Sequence, residues 1–415
     1  MFISIFQWLL LLTFTCLPTW SYLSYDYNAD VMAPVILVPG FVGTQVEGKW
    51  NTTTHPLYCE GSQGYWKLLW FKWDIVAGGD SLRCWVYRYK LIYNRATRRS
   101  HNQIGVETRV PGRFGDLQPV EYMTRDLITQ LGSGYLQDIS YSLRASGYDP
   151  ERNLKAAGYD GRYAPPQQVE IGYYAKFTKL VERVAANTKR KVAIITHSMG
   201  GIMAAYFLMN KSQAWKDRHI HAFIAITTPW LGSPKPVEVF ITGANFNIPT
   251  LEKSEMREIL RTFQSMALLL PSEEAYGDTV LVEWLDNNKN YTAKDYNQLF
   301  HDIHYTDGYL MRQDARSYMP IQGSKLGVKM VCISSHGLNT PFKMIIKGNI
   351  TNPTSVRFTN VDGDGTVPLK SQRYCEKFPR VTSYEVSGYD HIQIMHSVEV
   401  LDYIKSVLVK AEPFQ

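Results

Sequence analysis

The chain has no C-x-x-C pair, no clustered basic stripe, no internal repeat and no low-complexity segment. The missing C-x-x-C spacing argues against zinc or thioredoxin chemistry. A net charge of +6 spread along 415 residues favours anionic surfaces, without the basic face of a nucleic-acid binder. Lys189-Arg190-Lys191 is read as covering a helix C-terminus, where cations suit the dipole. Long apolar runs are scarce. One of about 15 residues spans Ile3 to Leu17, short of the ~20 that cross a bilayer. No lysine or arginine precedes it, yet Thr19-Trp20-Ser21 offers small residues for cleavage after Ser21, so residues 1–21 are read as a secretory signal.

Cysteine is also sparse. Cys16 leaves with the signal, and Cys59, Cys84, Cys332 and Cys375 remain, with three possible pairings. The sequence-local choice, Cys59–Cys84 with Cys332–Cys375, closes two loops worth ~3–4 kcal/mol each on the chain-entropy model. Sequons at Asn51, Asn210, Asn290 and Asn349 fit a glycosylated, exported chain in the lysosomal lumen or outside the cell.

Apolar content of 45% supports one large core with insertions. Pro34 to Val38 reads as a buried strand, Val169 to Ala186 as a helix, and 192–196 as a strand leading into a helix from 200 to 209. Further strands are expected at 222–226, 328–334 and 382–386, and a last helix at 392–409. Strands alternating with helices predict an α/β fold with a mostly parallel sheet covered on both faces. Residues 45–90 and 231–325 break the alternation and are read as insertions.

Thr196-His197-Ser198-Met199-Gly200 stands where the strand breaks into the helix, as in the nucleophile elbow of an α/β-hydrolase. In that fold the acid and then the histidine follow the serine. His219, His221, His301, His304 and His336 precede the best acidic candidates, Asp362 and Asp364, between which the residues alone do not choose. Of the later histidines, His391 lies in a loop-like Gly388-Tyr389-Asp390 context and is preferred to His396, expected inside the helix. His391 would deprotonate Ser198 and later protonate the leaving alcohol. Backbone N–H groups of Met199 and of the loop Pro39-Gly40-Phe41-Val42-Gly43 would hold the oxyanion. No metal or organic cofactor is required.

Tyr65 to Trp73 carries three tryptophans among lysines, inside the loop bracketed by Cys59 and Cys84. Trp66, Leu69, Trp70, Phe71 and Trp73 are expected to meet a phospholipid membrane or lipoprotein surface, anionic in character. Leu231 to Thr250, rich in glycine and proline, reads as a mobile flap.

Several segments together resemble the lecithin:cholesterol acyltransferase family. They are Pro34-Val35-Ile36-Leu37-Val38-Pro39-Gly40, Tyr159-Asp160-Gly161-Arg162, His197-Ser198-Met199-Gly200, Gln213-Ala214-Trp215-Lys216-Asp217, Thr228-Pro229-Trp230, Met311-Arg312-Gln313-Asp314 and Gly363-Asp364-Gly365-Thr366-Val367. The resemblance implies an α/β-hydrolase core (22–44, 91–230 with part of a cap, and 326–415), a membrane-binding subdomain at 45–90 and a lid and cap at 231–325. It implies Asp364 as the acid, supports His391, and implies both sequence-local disulfides. It puts the second oxyanion N–H on Phe41, and the acyl site and lid at Trp230 and at 231–250 with Lys235. Met311-Arg312-Gln313-Asp314 and Gly365 lean toward the lysosomal phospholipase branch. Thr196, Gly161 and Gly201 depart from the family pattern.

The implied activity is that of a serine phospholipase A and O-acyltransferase. An acyl-enzyme on Ser198 would pass its acyl group to water or to a lipid alcohol, ceramide or sterol. A neutral-lipid lipase or carboxylesterase, and an inactive lipid-binding homologue, are the alternatives. The protein is expected to act as a monomer without nucleic acid.

Overall fold

The computed structural model describes residues 31–51, 56, 59–72, 78–125, 130, 133–245, 251–316 and 318–409. Residues 1–21, Trp73 and 246–250 of the expected flap lie outside them. Six parallel strands form the main sheet: β1 Val35–Val38, β2 Leu154–Ala156, β3 Val192–His197, β4 Ile220–Ile226, β5 Met330–His336 and β6 Val381–Ser387. Their spatial order is β6-β5-β4-β3-β1-β2.

Alternation along the strands builds two cores. Ile36, Val38, Ile194, Phe223 and Ala225 enter one, while Val35, Leu37, Ile195, Ile224 and Ile226 enter the other. Successive strand side chains point to opposite faces, so strands buried throughout need cover on both. On the first face lies helix α1, Tyr173–Thr188, whose Tyr173, Phe177, Leu180, Val181 and Val184 repeat at helical spacing. Helix α2, Met199–Met209, joins it there, and helix α3, Val398–Leu408, buries Val400, Ile404 and Leu408 in the second core. This is an α/β-hydrolase core.

The expected helix at 169–186 is two helices, Pro165–Glu170 and α1, separated by Gly172 at φ 79°. Lys189 caps the end of α1 in the left-handed region, so the basic run does sit at a helix C-terminus. The last helix begins only at Val398, with the Ser397 hydroxyl accepting from Val400 N–H at 3.4 Å. His396 is therefore in the 3-10 turn before it, bonded through Nδ1 to Asp138 Oδ2 at 2.7 Å.

Segments of the expected insertions leave the main sheet. Val46–Trp50 pairs antiparallel with Lys67–Trp70 and Val106–Arg109 in a separate sheet. The Cys59–Cys84 disulfide ties this region, and Cys332–Cys375 links the β5 strand to the turn before β6. A long hairpin, Leu338–Asn349 with Asn352–Gly363, follows β5 and carries the chain to Asp364. Among the described residues, no helix is long and apolar enough to cross a membrane.

Candidate active site

Ser198 follows β3 directly, at φ 55° and ψ −129°, and its N–H donates to the Ile226 carbonyl at the end of β4 at 2.9 Å. A non-glycine residue in this region is strained, and neighbouring strands and helix hold it there. Crowding explains the glycine two residues on. A Cβ on Gly200 would stand 2.4 Å from the Pro39 carbonyl oxygen. Thr196 is accommodated on the strand, its hydroxyl donating to the Ile224 carbonyl at 3.2 Å. A side chain at Gly201 would collide with that of Thr228, and one at Gly161 with the Val42 backbone. Both departures from the family pattern thus lie where this chain has no room.

His391 stands in the loop after β6. Its Nε2 lies 2.9 Å from Ser198 Oγ and its Nδ1 2.6 Å from Asp364 Oδ2. The His391 N–H also donates to the Asp364 carbonyl at 3.0 Å. Asp364 is fully buried, and its Oδ1 accepts from the N–H groups of Thr366 and Val367 at 3.0 and 2.7 Å. With the carboxylate so held, His391 donates from Nδ1 and presents a bare Nε2 to the serine hydroxyl. Asp362, the other candidate, is exposed at the hairpin and accepts from Gly337 N–H at 2.6 Å. Ser198 and His391 follow the carboxyl ends of β3 and β6 of the main sheet, where such folds place their ligands, and the hairpin strand Asn352–Gly363 of a separate sheet brings Asp364 to them.

The Gly40 N–H is already spent on Tyr135 Oη at 2.7 Å. Neither the Phe41 nor the Met199 N–H has a hydrogen-bond acceptor among the described residues. Tyr135 also lies 2.6 Å from His197 Nδ1, and His197 Nε2 lies 2.7 Å from the His391 carbonyl oxygen. Burial, with the His391 ring beside it, holds the His197 imidazole well below the ordinary histidine value, so it is neutral. Neither Tyr135 nor His197 was singled out from sequence. The histidine's place directly before Ser198 is the available signal; nothing local marks the tyrosine.

The aromatic loop differs from expectation. Leu69, Trp70 and Phe71 are only 2%, 5% and 8% exposed. The Trp70 ring stacks on Trp85 and Tyr89, and its indole N–H donates to the Val42 carbonyl at 2.7 Å. These three residues are core: the Trp70 ring packs on the helix Gly79–Tyr89, the Leu69 carbonyl accepts from the Trp85 indole N–H at 2.7 Å, and Phe71 lies edge-on to Trp70. Trp66 is half-buried beneath the Arg109 guanidinium and Lys49, while Tyr65 is 71% exposed.

The flap also differs. Between Leu231 and Ile241 only Lys235 is exposed, and its ammonium pairs with Glu238 at 2.6 Å. Leu231 N–H donates to Ser371 Oγ and Ser233 Oγ–H to the Thr366 carbonyl, which pins this stretch to the core. Trp230 is fully buried against Phe223 and Phe378. All four sequon asparagines are exposed.

A family model described as lecithin:cholesterol acyltransferase matches residues 65–400. The chain is 31% identical over 384 residues to the lysosomal phospholipase A and acyltransferase of Mus musculus, covering 91% of this chain and 90% of that protein. The Homo sapiens protein of the same name is 32% identical over 384 residues, with 91% and 90% covered. The phosphatidylcholine-sterol acyltransferase of Rattus norvegicus is 32% identical over 390 residues, with 91% and 85% covered.

Proposed function

The chain belongs to the lecithin:cholesterol acyltransferase family, and we propose that it is a serine phospholipase A and O-acyltransferase working through an acyl-enzyme on Ser198. Ser198 Oγ attacks the ester carbonyl of a glycerophospholipid while His391 Nε2 takes its proton. The carbonyl π pair moves onto oxygen, and the Phe41 and Met199 N–H groups stabilise that oxyanion. Collapse expels the lysophospholipid alkoxide, which receives the proton from His391, and leaves the acyl group on Ser198. Water or a lipid alcohol, ceramide or sterol, then attacks with the same histidine as base. Asp364 keeps the ring in one tautomer and stabilises the imidazolium.

The observation carrying this reading is the unbroken chain Ser198–His391–Asp364, at 2.9 and 2.6 Å, with the serine on a strained strand-to-helix turn. The lipid surface is met by Tyr65 and the edge of Trp66, with exposed Lys67 toward anionic headgroups. Two disulfides and four exposed sequons favour the secretory pathway, ending in the lysosomal lumen or outside the cell.

A fluorophosphonate probe tests the nucleophile. The folded protein is expected to label covalently and to release fatty acid from phosphatidylcholine vesicles. Ser198→Ala is expected to lose both. Labelling that survives in Ser198→Ala, or a folded wild type that never labels, overturns the proposal. Adding ceramide or sterol to the vesicles and analysing acylated products identifies the acceptor.

A further inference from the structure

Gly40, Tyr135, His197 and His391 form one hydrogen-bonded chain that the proposed chemistry does not use directly. The His391 carbonyl can only accept, so His197 donates to it from Nε2. A neutral imidazole with Nε2–H has a bare Nδ1, so the Tyr135 O–H donates to that nitrogen. The phenol oxygen is then free to accept from Gly40 N–H. All donors in the chain run one way, from the loop after β1 to the loop after β6. The partners lie 62, 95 and 194 residues apart in sequence, and Tyr135 and His197 are 6% and 1% exposed.

The geometry reaches both ends of the reacting site. Gly40 is next to Phe41; a Cβ at Gly40 would strike the Tyr135 hydroxyl at 2.8 Å, and one at Gly43 the Tyr135 ring at 2.4 Å. The ring therefore sets the height of the Pro39–Gly43 loop. At the other end, His197 grips the main chain of the residue whose ring faces Ser198. Because Gly40 N–H is engaged, the loop presents its next amide, that of Phe41.

We propose that Tyr135 and His197 are positioning residues, which lock the oxyanion loop and the His391 backbone into mutual register during acyl transfer. The inference rests on the Ser198–His391 reading above. Breaking the chain leaves substrate affinity in place and lets the Phe41 amide and the His391 ring drift from the serine. Shifts of this size cost rate rather than binding.

The test compares wild type, Tyr135→Phe, His197→Gln and His197→Ala, each checked for folding. Expected for Tyr135→Phe is a kcat on a soluble ester, and a fluorophosphonate labelling rate, lowered about 10- to 100-fold with KM within about twofold. His197→Gln keeps a donor for the His391 carbonyl and should recover part of the rate lost in His197→Ala. In the wild type, nitrogen NMR of histidine-labelled protein should find His197 protonated on Nε2 and bare on Nδ1. A folded Tyr135→Phe with wild-type rates overturns the proposal, as does an Nδ1–H tautomer, which needs no variant to fold. Failure of the underlying reading is distinct: the folded wild type would then not label at Ser198, whatever the tautomer of His197.

Discussion

Two aspartates stand two positions apart, yet their surroundings could hardly differ more. Asp364 is buried, and both carboxylate oxygens are engaged, one by His391 and one by two backbone N–H groups. Asp362 is exposed and bonds a glycine at the hairpin base. A buried carboxylate is stable as an anion only with such donors around it, and those donors also fix where it points. Asp364→Asn is expected to lower kcat about 10³- to 10⁴-fold through loss of the tautomer and imidazolium support, with the fold kept. Asp362→Asn should stay within about twofold. Steady-state kinetics on a soluble ester reads both, and a reversed order of effects would reassign the acid. Crowding sets the other site positions. Gly40 sits against the Ser198 Cβ and Tyr135, and Gly200 against the Pro39 carbonyl, so a larger residue at either moves Ser198.

The stretch after β2 shows how an element outside the site can hold it. Arg162 is fully buried and pairs with Asp160 at 2.6 Å. The guanidinium also donates to the Tyr89 carbonyl, to Asn102 Oδ1 and to Thr108 Oγ1, and packs over the Tyr89 ring. Tyr89 stacks on Trp70, whose indole is bonded to Val42 in the loop that bears Phe41. One cation thus joins the hydrolase core, the 99–109 strands and the disulfide-tied region. Such a pair is a weak source of net stability when intact, but removing one partner strands a buried charge. Asp160→Asn should therefore cost about 3–5 kcal/mol in denaturant unfolding. A loss under about 1 kcal/mol would mean that the carbonyl and hydroxyl acceptors suffice for the guanidinium.

At the scale of the molecule, the surface proposed to meet lipid is distinct from the aromatic core beneath it. Tyr65→Ala is expected to lower activity on phospholipid vesicles several-fold and to leave a soluble short-chain ester unaffected, since an exposed amphipathic ring contributes only at an interface. Trp70→Ala should reduce both activities together with the thermal midpoint, as removal of a packed tryptophan costs about 3–5 kcal/mol. Paired vesicle and soluble-ester assays with a melting curve check this. Equal losses for Tyr65→Ala on both substrates would place the membrane surface elsewhere. The same division runs through what could be read from the chain. Although the residues alone left Asp362 and Asp364 open, the strand from Val192, the elbow at Ser198, the helix after it and His391 were legible because each is written in residues close together in sequence: an apolar run, a small residue at 200, a histidine in a loop before the last helix. The sequence-local disulfide pairing held for the same reason. Tertiary structure alone decided that Trp70 is core rather than surface, that residues 231–241 are packed rather than free, that a long hairpin delivers Asp364, and that Tyr135 reaches His197. An aromatic side chain carries the same sequence signal whether it faces lipid or another ring. Hydrogen bonds between residues 62 to 194 positions apart exist only once the sheet order has brought their loops to one edge.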